Sequence, residues 1–401
     1  MTVPIEQLRA HTPGVNQQGL RDYNERLILT MIQKAGALPG ADIARQAGLS
    51  PQTVSVILRR LEQDGLIVRG EPIRGTVGKP RVPMALAPGG ALSIGVNIGR
   101  RSAQVVLIDF TGEIRDRRRT TYRWPTPEIV LPFVRESIED LAGGLSEAQR
   151  DRISGIGIAK PFELWNWHDS VGAPADALNA WKETNFPAEL GRYTDLPVFL
   201  ENDATAACRA EQVWGHGRVA DNWASFFIGA FIGGGLVLGG TVFDGARGNA
   251  AAFGSLPSRG PGGNPRTLID TASLYLLEAS IEAAGQEGTG IWQRLDDWSE
   301  FEEQVSIWVA NAGRALADAA RTVTAVTDVE AVVIDGAMPR DVLHRLVATI
   351  EEELPRLDLQ GLVRPRILPG SCGPEARAMG GAIKPVQAQL LLAGRGLQIA
   401  N

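Results

Sequence analysis

Cysteine is nearly missing from this chain: Cys208 and Cys372 are the only two in 401 residues. They are far apart and neither has a CxxC partner. A disulfide framework and a cysteine-rich zinc site are therefore unsupported, and buried free thiols are expected. No run of about 18 apolar residues exists, so no membrane-spanning helix is expected. The start, MTVPIEQLRAH, has neither the basic residues nor the apolar core of a signal peptide, and a cytoplasmic location is the expectation. Positive charge is also short, with 40 Lys and Arg against 46 Asp and Glu, a net charge of −6. That balance argues against a chain that coats nucleic acid non-specifically. It leaves room for a local reader, where the charge on one face matters. The length favours two or three domains with large cores. With 44% hydrophobic and 21% charged residues, the composition is that of an ordinary globular protein.

The first readable element is a set of three short helices. Leu27, Ile28, Met31 and Ile32 recur at helical spacing within Asn24–Gly36. A second helix fits Ala41–Ala47, and Gly48-Leu49-Ser50 is a tight turn. Ser50 is a good N-cap and Pro51 suits the first helical position. The third helix runs to about Asp64, where Gly65 ends it. Val54, Ile57, Leu58 and Leu61 form its inward face. Gln52, Ser55, Val56, Arg59 and Arg60 point the other way, with Thr53 at the flank. Such side chains suit a major groove, because Gln bonds adenine, Arg bonds guanine or phosphate, and Val touches a thymine methyl. Next come strand-like segments at 66–69 and 83–86, separated by the basic Gly/Pro-rich loop GEPIRGTVGKPR. This order is that of a winged helix-turn-helix, with Lys79 and Arg81 of the wing set to meet phosphates or a minor groove. Its expected DNA contacts are Ser50, Gln52, Thr53, Ser55, Val56, Arg59, Arg60, Lys79 and Arg81. Residues 1–20 read either as a flexible arm or as an extra helix.

From Ala91 the pattern changes to apolar strands alternating with long helices, the signature of α/β domains with central sheets. Strands fit 92–98, 104–110, 113–122, 153–159, 198–201, 224–230, 235–238, 331–335 and 366–368. Helices fit 127–143, 204–214, 267–284, 301–326, 341–354 and 374–392.

Four segments of this body carry a specific resemblance. They are Ile94-Gly95-Val96-Asn97-Ile98-Gly99, Leu196–Asp203 (LPVFLEND, followed by ATAA), Ile228–Gly235 (IGAFIGGG) with Asp244–Gly248 after it, and Gly373–Ala382 (GPEARAMGGA). Their order resembles the ROK family of repressors, open reading frames and kinases, and the END segment is the most specific part. The resemblance implies an α/β fold in which the winged helix-turn-helix precedes an actin-like, sugar-kinase (ribonuclease H-like) body of two lobes. The domains expected are 1–88 for DNA binding, 89–202 for the first lobe, completed by a C-terminal helix at about 385–401, and 203–384 for the second lobe and dimerisation.

The departures from the family pattern decide the functional expectation. Active kinases of the family carry an acidic residue and a Gly-Gly-Thr-Lys turn in the first loop, organising Mg²⁺ and approaching phosphate closely. Here the stretch is Asn97-Ile98-Gly99-Arg100-Arg101. In the second loop Gly-Thr-Gly becomes Gly229-Ala230-Phe231. Phosphoryl transfer rests on positioning and charge neutralisation, so its loss is expected. The Glu-x-Gly-His of the sugar and zinc site is replaced by Ala252-Phe253-Gly254-Ser255, and no cysteine follows in 256–266. No zinc and no other cofactor is expected there.

The resemblance carries the sugar-contacting role onto Asn202 and Asp203, which also suit a helix N-cap. Other candidates for the ligand site are Ser255, Lys160, and Asn179 and Trp181 of Ala177-Leu178-Asn179-Ala180-Trp181. Lys160 meets an acidic ligand group or pairs with a carboxylate. Trp165, Trp167 and His168 lie in an insertion-like loop and either stack on a sugar or pack.

The chain therefore reads as a non-enzymatic, sugar-responsive transcriptional regulator, most simply a repressor of carbohydrate genes. It would bind double-stranded operator DNA as a homodimer or tetramer, take a small sugar or derivative as effector, and have no membrane partner. The alternatives are an active or bifunctional sugar kinase, and a DNA-binding protein with a purely structural body.

Overall fold

In the computed structural model, residues 17–72, 81–167, 173, 177–215, 220–260 and 262–392 are described. The chain divides into two compact units. One comprises residues up to Leu86 together with Leu390–Leu392, and the other runs from Ala87 to Gln389.

The first unit is organised by a turn legible in the sequence. Helix α1 (Gln17–Ala35) buries Leu27, Ile28, Leu29, Met31 and Ile32. Strand β1 (Ala37–Pro39) leads into α2 (Gly40–Ala47), which buries Ile43 and Ala44. Gly48 closes α2 at φ 65°, with its N–H donating to the Ala44 carbonyl, a left-handed position that glycine takes without steric cost. Ser50 then caps α3 (Pro51–Gln63) by accepting from the Thr53 N–H at 3.1 Å. Val54, Ile57 and Leu61 of α3 are buried, and Leu58 is half-buried. Strands β2 (Ile67–Arg69) and β3 (Pro83–Leu86) complete a small antiparallel sheet in the order β1-β3-β2. Its register pairs Leu38 with Met84 and Val68 with Ala85. Strand β1 was not foreseen, because three residues between two helices show no alternation. Helix α1 also starts earlier than expected, inside the segment left open between arm and helix.

The second unit contains two five-stranded sheets built on one plan. The first uses β4 (Leu92–Ile98), β5 (Ser102–Asp109) and β6 (Ile114–Thr121) as an antiparallel meander. After α4 (Pro127–Gly143), it adds β7 (Ile153–Lys160) and β8 (Val198–Asn202) in parallel, giving the order β6-β5-β4-β7-β8. Helix α5 (Asp203–Trp214) follows directly. The second sheet repeats the plan with β9 (Trp223–Ile228), β10 (Ile232–Leu238) and β11 (Thr241–Val242) antiparallel, and β14 and β15 parallel, in the order β11-β10-β9-β14-β15. Between these come the hairpin β12 (Pro257–Arg259) and β13 (Pro265–Thr267), then α6 (Leu274–Ala283) and α7 (Glu302–Thr327). Next are β14 (Ala331–Gly336), α8 (Arg340–Glu353), β15 (Arg366–Pro369) and α9 (Ala376–Gln389). Two sheets with the same strand order and the same switch from antiparallel to parallel make the two-lobed, ribonuclease H-like body. Strands β4 and β7 are buried on both faces, which is why they read as apolar runs without alternation.

Two sequence expectations need correction. The helix expected over 267–284 is broken at Ser273, whose backbone is extended (φ −79°, ψ 155°). Its hydroxyl accepts from the Ile232 N–H at 3.0 Å, and its carbonyl accepts from the Trp308 indole at 3.1 Å. Those tertiary bonds outweigh the helical periodicity. Secondly, the helix expected to complete the first lobe from about 385 begins at Ala376 and packs on β4, β7 and α5. Glycines allow this approach: a Cβ on Gly157 would lie 1.8 Å from the Gly381 carbonyl oxygen, and one on Gly380 would lie 1.7 Å from that of Ala206. Beyond α9 the chain rejoins the first unit, where the Leu391 carbonyl accepts from Arg26 Nε at 2.9 Å and the Leu392 N–H donates to Thr30 Oγ1 at 2.9 Å.

Candidate functional sites: an exposed helix face and an arginine-lined cleft

The outward face of α3 displays Gln52, Thr53, Ser55, Val56, Arg59 and Arg60 to solvent, with Val56 58% exposed. Not every expected contact is equally available. The Ser50 hydroxyl is engaged as the helix cap and bonds Thr53 Oγ1 at 2.8 Å. Arg60 lies 3.1 Å from Glu25 and 3.8 Å from Asp64. Arg81 pairs with Asp42, and Arg69 pairs with Glu62 at 2.7 Å. The charge excess read from the wing alone is thus partly answered by acids of neighbouring helices, which linear sequence did not pair. Lys79 and Arg74 lie outside the described residues.

The cleft beside the start of α5 encloses about 680 Å³ of atom-free space, part of it open to solvent. Asn202, Asp203, Phe231, Asn249, Ser255 and Arg100 contribute to its walls. Strand β8 delivers Asn202 and Asp203 to the wall, because Asn202 is the N-cap of α5. Its Oδ1 accepts from the N–H groups of Ala204 at 3.0 Å and Thr205 at 3.2 Å, leaving Nδ2 toward Asn249 Oδ1 at 3.4 Å. Asp203 Oδ1 accepts from the Ala204 N–H at 3.0 Å, and Oδ2 faces Arg377 Nη1 at 3.4 Å. The pair is thus both cap and cleft wall. Beneath it, buried Glu201 holds Arg209 at 2.6 Å and Lys384 at 3.0 Å, and Arg209 reaches Asp244 at 2.8 Å. This network locks the turn that presents Asn202 and Asp203.

Two arginines stand at this end of the body, Arg100 lining the cleft and Arg377 beside it. The Arg100 guanidinium lies 4.2 Å from the centroid of the Phe231 ring, and that of Arg377 lies 4.9 Å from the Phe227 ring. Burial lowers the Arg100 pKa to about 10, with Asp203 opposing the shift and Arg377 adding to it. Both cations sit where two glycine-bearing turns approach. Arg377 lies beside Gly99 of the turn after β4 and Gly229 of the turn after β9. Arg100 and Phe231 were read from sequence as substitutions within loops. Arg377 and Asn249 were missed. The one signal for Arg377 was a charge amid the small residues Ala376, Ala378, Gly380 and Gly381 in the first turns of α9.

Three expected ligand contacts fall elsewhere. Trp181 is a core residue, its indole donating to the Pro125 carbonyl at 2.6 Å and its ring stacked on Phe186 at 5.4 Å. Asn179 is exposed one turn away, and neither residue lines the cleft. Lys160 ends β7 half-buried, 5.9 Å from the centroid of the Trp165 ring, and does not line the cleft either. Burial lowers its pKa, and Asp203 acts against that shift. His168 and the Trp167 side chain lie outside the described residues. Ser255 does reach the cleft, at the end of a short turn leading into β12.

Residues 93–385 match the ROK family, and residues 21–68 match the winged helix-turn-helix DNA-binding family. The chain belongs to the ROK family. Among its relatives, the protein y4fQ of Sinorhizobium fredii is 29% identical over 372 residues, covering 90% of each chain. The xylose repressor of Bacillus subtilis is 22% identical over 241 residues, covering 60% of this chain and 62% of the repressor. A solved ROK family transcriptional regulator, a homolog of the E. coli MLC protein, superposes with a TM-score of 0.64 at 21% identity, covering 92% of this chain and 97% of that one. That likeness establishes the fold.

Proposed function

We propose that this ROK protein is a DNA-binding transcriptional regulator, acting as a repressor, whose body holds a small polyhydroxylated effector without phosphorylating it. The observation that carries the reading is the placement of Arg100, Phe231 and Arg377 between the two loops, with Asn97 in the position of the acidic residue. Phosphoryl transfer needs a cation and close backbone access to the transferred group. Two buried guanidinium groups and a phenyl ring replace both.

The effector would rest against Asn202, Asp203, Asn249 and Ser255, which offer amide donors and acceptors, a carboxylate and a hydroxyl to a ligand of adjacent hydroxyls. The recognition helix α3 would enter a major groove by its N-terminal half. Two copies would read a pseudo-palindromic operator. The route from cleft to DNA-binding unit is covalent: α9 carries Arg377 against Asp203, and the residues after α9 are hydrogen-bonded to α1. An effector acts along it only if it binds one arrangement better than another.

The test is fluorescence anisotropy on operator DNA with a panel of hexoses, pentoses and sugar acids. One member of the panel weakens DNA binding at least tenfold. No effect from any member would reject the effector role. A coupled ADP-release assay addresses the kinase reading separately, and turnover with any panel sugar would establish it.

A further inference from the structure

The cleft beside the start of α5 is walled by two kinds of residue. Besides the polar groups already described, Pro161, Phe162, Ala250, Ala251, Ala252 and Ile269 line it. Phe162 is 42% exposed there. Much of the polar wall is already spent. Asn202 Oδ1 accepts from the Ala204 and Thr205 N–H groups, and Asp203 Oδ1 accepts from the Ala204 N–H. Asp203 Oδ2 faces Arg377, and Asn202 Nδ2 faces Asn249 Oδ1 at 3.4 Å.

Backbone strain falls on the apolar wall. Among the described residues, three that are not glycine have a left-handed backbone: Glu163 at φ 48°, Ala251 at 55° and Asp328 at 50°. Asp328 is the C-cap of α7. The other two belong to this cleft, since Ala251 lines it and Glu163 directly follows Phe162. Glycine takes such backbone without steric cost. Ala251 therefore keeps its methyl group at a position where glycine would be easier, and strained positions of this kind gather where ligands are clamped.

A hydroxyl pressed against such a wall loses its water and gains no hydrogen bond, whereas a methyl group or an aromatic ring gains by leaving water. A sugar hydroxylated throughout has to turn some hydroxyls onto this wall. We propose that the cleft selects a sugar bearing an apolar group, which lies against Phe162 and the Ala250–Ala252 run. That group is either the methyl of a 6-deoxyhexose or the aromatic aglycone of a glycoside. The proposal rests on the reading of this cleft as a sugar site and adds the kind of sugar that enters it.

The test is binding to the full chain without DNA, by isothermal titration with sugars matched in pairs. D-glucose and D-galactose are each compared with their 6-deoxy forms and with their phenyl β-glycosides. In at least one pair the substituted sugar binds at least tenfold more tightly than its parent. A 6-deoxy sugar in that place assigns the methyl group, and a phenyl glycoside assigns the aglycone. Phe162→Ser or Ala252→Ser lowers the ratio within the pair about fivefold, with circular dichroism verifying that each variant is folded. Parents that bind as tightly as their substituted forms overturn the proposal and leave the sugar-site reading standing. An advantage that both folded variants leave unchanged overturns it too. Absence of binding by every member overturns both. Substituted sugars that bind tightly and leave operator affinity unaltered support the proposal while removing the effector role.

Discussion

Arg377 Nη1 lies 3.4 Å from Asp203 Oδ2, and both residues are buried. The contact joins α9 to the start of α5 on the wall of the cleft. An arginine from the last helix thereby neutralises the carboxylate that the family uses toward sugar. Removing one partner of a buried pair costs about 3–5 kcal/mol when the other is stranded. Here Arg100 also faces Asp203 electrostatically, so Arg377→Met should destabilise by less, about 2 kcal/mol. Urea unfolding of Arg377→Met, Asp203→Asn and the double variant measures this. The double variant should be less destabilised than the sum of the singles, and strict additivity would show the contact to be energetically idle.

On α3, Arg59 is exposed and no ion pair to it is seen among the described residues, whereas Arg60 is held by Glu25. Arg59→Ala should weaken specific operator binding by about 1–3 kcal/mol if it reads a base edge. Arg60→Ala should cost less, because the Glu25 pair must first be broken in the native protein. Lys79→Ala should weaken binding to all sequences alike and flatten the salt slope. Anisotropy titrations over a range of salt separate these outcomes, and an Arg60 effect larger than that of Arg59 would reverse the docking face.

Ser50 acts first on the helix. Because its hydroxyl accepts from the Thr53 N–H, Ser50→Ala should destabilise the N-terminal unit by about 1 kcal/mol. Ser50→Asp, which keeps the cap but adds charge, should restore stability and still impair DNA binding. Thermal melts alongside DNA titrations distinguish cap from contact.

Asp335, at the end of β14, predicts a pH dependence. Burial and the neighbouring Glu211 push its pKa up to about 7, while the N–H groups of Gly336 and Gly373 pull it down. A carboxyl whose folded pKa exceeds its unfolded value stabilises the fold when protonated. That contribution is complete below the unfolded pKa and is lost as pH rises through 7. Wild type should lose stability between pH 5 and pH 8, and Asp335→Asn should lose less. Denaturant unfolding across that range measures the difference, and equal slopes would exclude Asp335 as the titrating group.

Much of the architecture was legible. Strands β4 and β7 were read from uninterrupted apolar runs, because burial on both faces removes the alternation of a half-buried strand. The Gly48, Ser50 and Pro51 turn was readable because each residue has its own local reason to be there. The site was less legible. Asn202 and Asp203 came from a local motif and do line the cleft. Trp181, inferred from its place in a similar motif, turned inward to stack on Phe186. Arg377 lies 174 residues from Asp203, and no local pattern joins them.

The chain's own order of residues determined the helices and turn of the winged module and the alternation of strands and helices in the body, since capping and periodicity act over a few neighbours. Tertiary structure alone decided that Arg377 meets Asp203, that Ser273 breaks a helix to serve Ile232 and Trp308, and that the residues after α9 bond to α1. Those outcomes depend on groups brought together by close packing, whose separation along the chain conceals their meeting.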